Sequence, residues 1–388
     1  MKKTPKDPFG GQYGGASCLF ISIILILIVA AGLFTLQSYL STNRSDAPET
    51  AAKEARFDLE EVRPGWWETR KFIYFDIPAR VVFKLPEKHG PDPKALSIKI
   101  WDEFERIGKI FNPFDPNSET ARLNRPETHG ATPVSRDMHA VLMLCRELWK
   151  ASDNAFDPTT LPLKRMWEAA VQSQQIPTNR EIMRTMEQVG FDNIEIMTDR
   201  NQVRLKNRHV QFDFGGIAKG YAVDQVSNLL REQGIPAALV ALSGEIRAYG
   251  DNNGEPWRIG IQNPIKMNGL WGIVSSDGDI RVSTSGNYRQ PLHIAGREFY
   301  HIFNPRTGRP VSERILGVTT LCTAQKASNA LLDGAATAIV VMGTETGIPF
   351  AESTGIEAHV IKRSRDGKIE EIMTGGFKRL YEPAPKTE

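Results

Sequence analysis

The stretch "FDFGGIAKGYAVD", residues 212–224, decides how the chain is read. Alternating apolar residues run into Gly215 and Gly216, and an apolar-periodic segment starts just beyond, with Lys219 one turn inside it. The pattern predicts a strand, a glycine turn and a helix N-terminus. Such a junction favours anions, because the first N–H groups of a helix lack internal partners and the helix dipole adds positive potential there. The spacing fits neither G-x-x-x-x-G-K-S/T nor G-x-G-x-x-G. Taken alone, the two glycines are better explained as an ordinary strand-to-helix connection.

Outward from this stretch, "QVRLKNRHVQFDF" predicts a hairpin turning at Asn207. The helix beginning at Ile217 is expected to stop at Gly234, followed by the strands "AALVAL" and "IRAYG" around Ser243–Gly244. Upstream, "KFIYFDIPARVVFKL" predicts one or two strands, and helices are expected from Pro93 to Ile110 and from Ser135 to Lys150. A third helix has Thr178 as its cap and Gly190 as its stop. Downstream, short strands are expected around Ile259, Ile273, Val282 and His293, then "ILGVTTLCT", then a long helix in "AQKASNALLDGAATAIVVMG". Helices and strands are mixed in order, so the fold class is α+β with a largely antiparallel sheet and packed helices.

The 388 residues leave room for one large domain or two ordinary ones. With 48 basic and 46 acidic side chains the formal charge is +2, and no basic stripe with interleaved aromatics argues for nucleic acid. Cys18, Cys145 and Cys322 are too few and too scattered for a disulfide framework or a zinc site. Cys145 and Cys322 are expected as buried free thiols.

No charged residue lies between Asp7 and Arg44, and "CLFISIILILIVAAGLFTL" is almost wholly apolar. That run is long enough to span a bilayer and longer than the roughly 7–15 residues of a signal-peptide core. Lys2, Lys3 and Lys6 precede it, which places residues 1–15 in the cytoplasm, a single-pass anchor at 16–38 and the remainder outside. Cys18 precedes the apolar run rather than following it, which argues against lipidation. Residues 39–65 are a polar tether, and 66–388 form the folded domain.

The late helix carries an oddity of its own. Asp333 and Thr337 stand one turn apart on a face crowded with alanine, leucine, isoleucine and valine, with Asn329 one turn earlier. A carboxylate in such surroundings needs a partner. Paired with a hydroxyl, it suits a hard cation such as Mg2+, and a diphosphate would call on that cation together with Lys219 and the Gly216 backbone. Two further patches offer polar groups in turns: Ser283–Gly286 followed by His301 before Asn304–Gly308, and Asp157–Thr159.

"DFGGIAKGYAVDQV", "SGEIRAYG", "STSGNYR", "HIFNPRTGRPV" and "LLDGAATAIVVMG" stand in an order and spacing that resemble the ApbE family, the FAD:protein FMN transferases. "NPFDPNSETARLN" and "FDPTTLPLKRMW" extend the likeness over about residues 70–380. The resemblance implies an extracytoplasmic, Mg2+-dependent enzyme that transfers FMN from FAD to a threonine or serine hydroxyl, releasing AMP. The implied acceptor is a subunit of a membrane redox complex. It further implies Gly216, Asp333 and Thr337 as metal ligands. Glu119, Thr120, Ala121, Asp157, Lys219, Ser285, Gly286, His301 and Ile315 are implied FAD contacts, with His301 near the diphosphate. His301 and Asp333 are both candidates for the base that accepts the hydroxyl proton.

The chain departs from the family pattern in places. "YFDIPAR" stands where Met-Gly-Thr is usual, Ser243–Glu245 where Gly-Gly-Asp is usual, and Asn304 where an aspartate is usual. The segment before Asp333 is about one helical turn long relative to the pattern. Counting forward from "GVTT" assigns the metal position to Asn329, and counting back from "VVMG" assigns it to Asp333, which is preferred because it supplies a carboxylate. Two other functions share these features: a diphosphatase giving FMN and AMP, and a membrane-anchored flavin carrier without turnover.

Overall fold

A computed structural model describes residues 57–384, apart from 75–76, 129, 267–268, 287–290, 312–313 and 324–326. The expected anchor at 16–38 and residues 39–56 of the expected tether lie outside the described residues, whereas Asp58–Arg63, also expected as tether, pairs with Trp66–Ile73 and belongs to the folded domain. The described residues belong to one unit, Phe57–Glu388.

Among the described residues, nine strands form the main sheet, and their order in space is their order in the chain. They are β1 (Asp58–Arg63), β2 (Trp66–Ile73), β3 (Ile77–Lys84), β4 (Ala237–Leu242), β5 (Glu245–Tyr249), β6 (Ile280–Gly286), β7 (Ile315–Cys322), β8 (Glu357–Arg363) and β9 (Ile369–Met373). Every neighbouring pair is antiparallel. The sheet is therefore a meander whose connections have been expanded by insertions.

The largest insertion, between β3 and β4, holds α1 (Pro93–Phe111), α2 (Glu119–Leu123), α3 (Arg136–Ala151), α4 (Leu161–Ser173), α5 (Asn179–Met186) and α6 (Ala218–Glu232). The crossover from β7 to β8 is α7 (Asn329–Thr354), and α8 (Gly375–Leu380) follows β9. Period-2 alternation along β3 divides the core. Val81 and Phe83 join the cluster shared with α1, α6 and α7, whereas Val82 faces the opposite cluster with Trp257, Ile259 and Val274. The sheet thus carries helices on one face and, on the other, the small sheet of Trp257–Gln262, Leu270–Ser276 and Tyr381–Pro383. The α+β, largely antiparallel expectation holds.

Local signals explain most helix boundaries. Ser135 accepts the Met138 N–H at the start of α3, and Thr178 forms a reciprocal capping box with Glu181 at the start of α5. The α7 run is long and apolar enough to cross a bilayer, yet it is a core helix: most of its first turns are buried, and it breaks at Gly343, whose φ is 73°.

The hairpin expected at Asn207 forms elsewhere. Ile194–Met197 pairs with Gln202–Leu205, so the chain reverses just before Gln202. The continuation, Phe212–Phe214, is not a strand. Asn124 takes the place of a neighbouring strand there, its side chain accepting from the Phe212 N–H at 2.7 Å and donating to the Phe212 carbonyl at 2.9 Å. Phe212 and Phe214 are both buried, stacked 5.3 Å apart, with Asp213 only partly buried between them, so the apolar alternation persists without a strand. Cys145 and Cys322 are buried free thiols.

Candidate active site

The glycine turn at 215–216 delivers the chain into α6, whose N-cap, Ile217, has no side-chain oxygen to satisfy the first N–H groups. Asp333, from the second turn of α7, supplies one instead. Its Oδ2 accepts the Gly220 N–H at 3.1 Å, while the Lys219 Nζ donates to Oδ1 at 3.2 Å and to Oδ2 at 3.3 Å. The helix N-terminus therefore does hold an anion, and the anion is an internal carboxylate. Asp333 is fully buried, so this pairing offsets a desolvation cost of several kcal/mol. Lys219 also donates to the Gly215 carbonyl at 3.1 Å and lies 3.6 Å from Glu245. Burial works against the ammonium, but Asp333 and Glu245 more than offset it and hold the Lys219 pKa above the ordinary lysine value.

Two backbone features set this geometry. Ser243 (φ 55°) and Gly244 make the two-residue turn between β4 and β5, and a Cβ on Gly244 would lie 2.9 Å from the Thr284 carbonyl. Glu245 follows at once, fully buried beside Lys219. Its pKa is pushed up to about 8, by burial first and by Asp333 second, with Lys219 pulling the other way. At the base of α7, Ser328 accepts the Leu331 N–H at 3.1 Å and Asp224 of α6 accepts the Ala330 N–H at 3.0 Å.

Thr337, one turn beyond Asp333, has its hydroxyl 3.3 Å from that of Ser285 on β6. Gly216 packs against it so closely that a Cβ there would lie 3.0 Å from the Thr337 Oγ1. The Gly216 carbonyl is 3.6 Å from where a side chain on Gly334 would begin, which sets that oxygen against α7 between Asp333 and Thr337. Carboxylate, hydroxyl and carbonyl oxygens on these adjoining segments are donor types that suit a hard cation such as Mg2+. Asn329 does not line the cavity described below: its Nδ2 donates to the carbonyls of Ile246 at 2.9 Å and Val282 at 3.3 Å, while its Oδ1 is buried without a hydrogen-bond partner among the described residues.

These groups form the floor of a cavity of about 670 Å3. Asp157, Gly216, Lys219, Ser285, Gly286, His301, Asp333 and Thr337 all line it, although they come from five separate stretches of sequence. Asp157 is held by its own turn, with Oδ1 accepting from Thr159 and Oδ2 from the Phe191 N–H at 3.0 Å. Burial raises its pKa against those bonds.

Glu119, Thr120, Ala121 and Ile315 are not among the cavity's lining residues. Glu119 accepts the Ser135 N–H at 2.7 Å, Thr120 donates to the Ile110 carbonyl, and Ile315 is fully buried in the core. The sequence reading missed the apolar walls, which include Tyr74, Phe111, Phe114, Ala155 and Phe156. Phe114 is the one with a sequence signal. It is an aromatic residue in the polar turn "NPFDPN", 55% exposed, with the Lys164 ammonium 4.9 Å from its ring centroid.

A deep cavity with aromatic walls and a floor of ammonium, hydroxyls and buried carboxylates defines a binding site for a large ligand that is flat at one part and anionic at another. The ApbE family model matches residues 76–360, and the chain belongs to that family. The chain is 31% identical to the FAD:protein FMN transferase of Vibrio cholerae, over 74% of this chain and 85% of the relative. Identity to the Escherichia coli K12 FAD:protein FMN transferase is 27%, covering 70% and 78%. Among solved structures, the Pseudomonas stutzeri flavinyl transferase ApbE superposes with a TM-score of 0.70 at 26% identity, covering 84% of this chain and 97% of that one. The flavin transferase ApbE of Vibrio cholerae gives 0.70 at 28% identity, covering 83% and 100%.

Proposed function

We propose that this chain is an FAD:protein FMN transferase that moves FMN from FAD to the hydroxyl of a threonine or serine on a redox protein and releases AMP. The observation that carries this reading is the Lys219–Asp333–Thr337 floor, which gathers an ammonium and a hard-cation donor set beneath a cavity large enough for a dinucleotide.

Asp333, Thr337 and the Gly216 carbonyl would hold Mg2+. When bound, Mg2+ supplies Lewis-acid polarisation of the diphosphate and neutralises charge on the departing AMP. Lys219 supplies a second positive charge toward the transferring phosphoryl group, and the Ser285 hydroxyl and Gly286 line the same wall. In the transfer, the acceptor oxygen bonds to the flavin-side phosphorus and the bond from that phosphorus to the bridging oxygen breaks. That oxygen leaves with AMP, and the hydroxyl proton passes to a base. Asp333 already accepts from Lys219 and Gly220, which favours His301, on the cavity wall, as the base.

The charge-free run at 16–38 with its basic N-terminal flank supports an anchored enzyme facing away from the cytoplasm, alongside an acceptor subunit of a membrane redox complex. A cytoplasm-only reporter fused after Glu388 is expected to be silent, and a strongly active fusion would refute this topology.

The reaction is tested by incubating the protein with FAD, Mg2+ and a candidate acceptor, then measuring acceptor mass and AMP. Equal amounts of AMP and flavinylated threonine are expected. Full AMP release with unmodified acceptors makes the chain a diphosphatase, and bound FAD with neither product makes it a carrier.

A further inference from the structure

Glu245 is a second carboxylate, buried behind Lys219 rather than lining the cavity, that the transfer scheme does not use. It is fully buried, and neither of its oxygens has a hydrogen-bond partner among the described residues. Lys219 faces it from 3.6 Å, and the buried Ser283 hydroxyl is a second polar neighbour. At that distance the ion pair is longer than an ordinary charge-assisted bond, so a buried carboxylate that is costly to leave weakly paired has a closer partner to gain. Lys219 is that partner. Its flexible stem needs to move only about 1 Å for the ammonium to reach ordinary charge-assisted bonding distance of about 2.8 Å from Glu245.

The reason to move lies at Asp333. Both of its oxygens accept from Lys219 and one also accepts from Gly220, so the ammonium occupies the carboxylate that the cation requires. A divalent ion placed on Asp333 would sit beside that ammonium and repel it. We propose that Glu245 is a second seat for Lys219, taken up when a divalent cation binds Asp333. Glu245 thereby sets the cation affinity as a positioning residue that never touches the cation. This rests on the cation reading given under the proposed function.

The test uses the purified full-length chain in detergent, without FAD, titrated with Mn2+ while free ion is followed by electron paramagnetic resonance. Glu245→Gln keeps the shape and removes the ionisable carboxyl. It is expected to weaken Mn2+ binding about tenfold or more, as loss of an outer-shell partner of a metal ligand does. Lys219→Met removes the competitor and is expected to bind Mn2+ at least as tightly as the native chain. Adding Glu245→Gln to Lys219→Met is expected to change nothing further. Native binding in Glu245→Gln overturns the proposal, and so does equal weakening in both backgrounds, which would mean that Glu245 acts on the cation directly. Asp333→Asn separates the two readings. If it abolishes binding while Glu245→Gln leaves binding unchanged, only the second seat fails; if it leaves binding intact, the cation site fails and takes the proposal with it. A crystal structure with Mn2+ gives a direct readout: the Lys219 Nζ is expected within bonding distance of Glu245, and an ammonium still on Asp333 overturns the proposal.

Discussion

Gly220 of α6 lies directly against Asn329 of α7: a Cβ on Gly220 would stand 2.2 Å from the Asn329 carbonyl oxygen and 2.8 Å from the Ala330 nitrogen. This contact joins the helix that carries Lys219 to the helix that carries Asp333 with no side chain between them. It also lets the Gly220 N–H reach Asp333 at 3.1 Å. The opening sequence signal thus has a packing cause: a third glycine, beyond the two of the turn, lets the two helices approach.

Gly220→Ala is therefore expected to push α6 and α7 apart. The atoms it meets are backbone and cannot rotate away, so the cost should match overpacking of a well-filled core, about 1–3 kcal/mol. Thermal unfolding of the variant should show a lower midpoint. An unchanged midpoint would mean the helices do not pack as closely as described.

The two counts of the metal position make opposite predictions. Asp333→Ala removes the carboxylate from the floor and should eliminate cation-dependent turnover in a protein that still folds. Asn329→Ala removes bonds to the buried carbonyls of Ile246 and Val282, costing about 1–3 kcal/mol of stability, while the folded fraction stays active. Turnover per folded molecule, measured alongside unfolding, distinguishes them. The reverse order of severity would assign the metal to Asn329.

Much of this architecture was legible because it is local. Ser135 and Thr178 mark their helices by hydroxyls that cap the next turn, and the Ser243–Gly244 turn marks its hairpin by needing a residue at positive φ. What escaped the sequence is tertiary. Asn124, 88 residues away, takes over the pairing of Phe212, so an alternating stretch fails to become a strand. The partner of Asp333 lies 114 residues upstream, and an apolar helix face gave the need for a partner without its identity. The Glu119–Ala121 segment resembled a binding element, yet its side chains are spent on bonds to Ser135 and Ile110. Tyr74, Phe111 and Phe156 carry no signal at all, because a cavity wall exists only once distant elements are assembled.

Stability should fall on mild acidification because of His359 on β8. The ring is buried beside Phe377 and Tyr381, and burial pushes its pKa down to about 4, although Glu371 at 3.0 Å pulls the other way. Above pH 6.5, both folded and unfolded chains carry a neutral ring, and this stabilisation is fully present. As pH falls from about 6.5 to about 4, the unfolded chain binds the proton first, and up to about 3 kcal/mol is lost. Denaturant unfolding at a series of pH values checks this. His359→Gln should flatten the slope across that window, and an unaltered slope would assign it to other groups.

Gly216 offers the sharpest test of the floor, since the change adds a single methyl group and alters no charge. A Cβ there meets the Thr337 Oγ1 at 3.0 Å, its Cγ2 at 3.4 Å and Phe156 at 3.5 Å. These contacts are tight but made with side chains, and Thr337 can yield by rotating its hydroxyl away from Gly216 and from Ser285. Gly216→Ala should therefore leave the unfolding free energy within about 0.5 kcal/mol of the native value, the range usual for substitutions without a core defect. Cation affinity should drop because the hydroxyl turns away from the carbonyl. Thr337→Val, which keeps the shape and removes the hydroxyl, should drop it by a similar factor, and the double variant should be little worse than either single one. Non-additivity of that kind is the mark of two residues acting through one site. Additive losses would show that Gly216 and Thr337 serve the cation separately, and a normal affinity in Gly216→Ala would remove its carbonyl from the proposed ligand set.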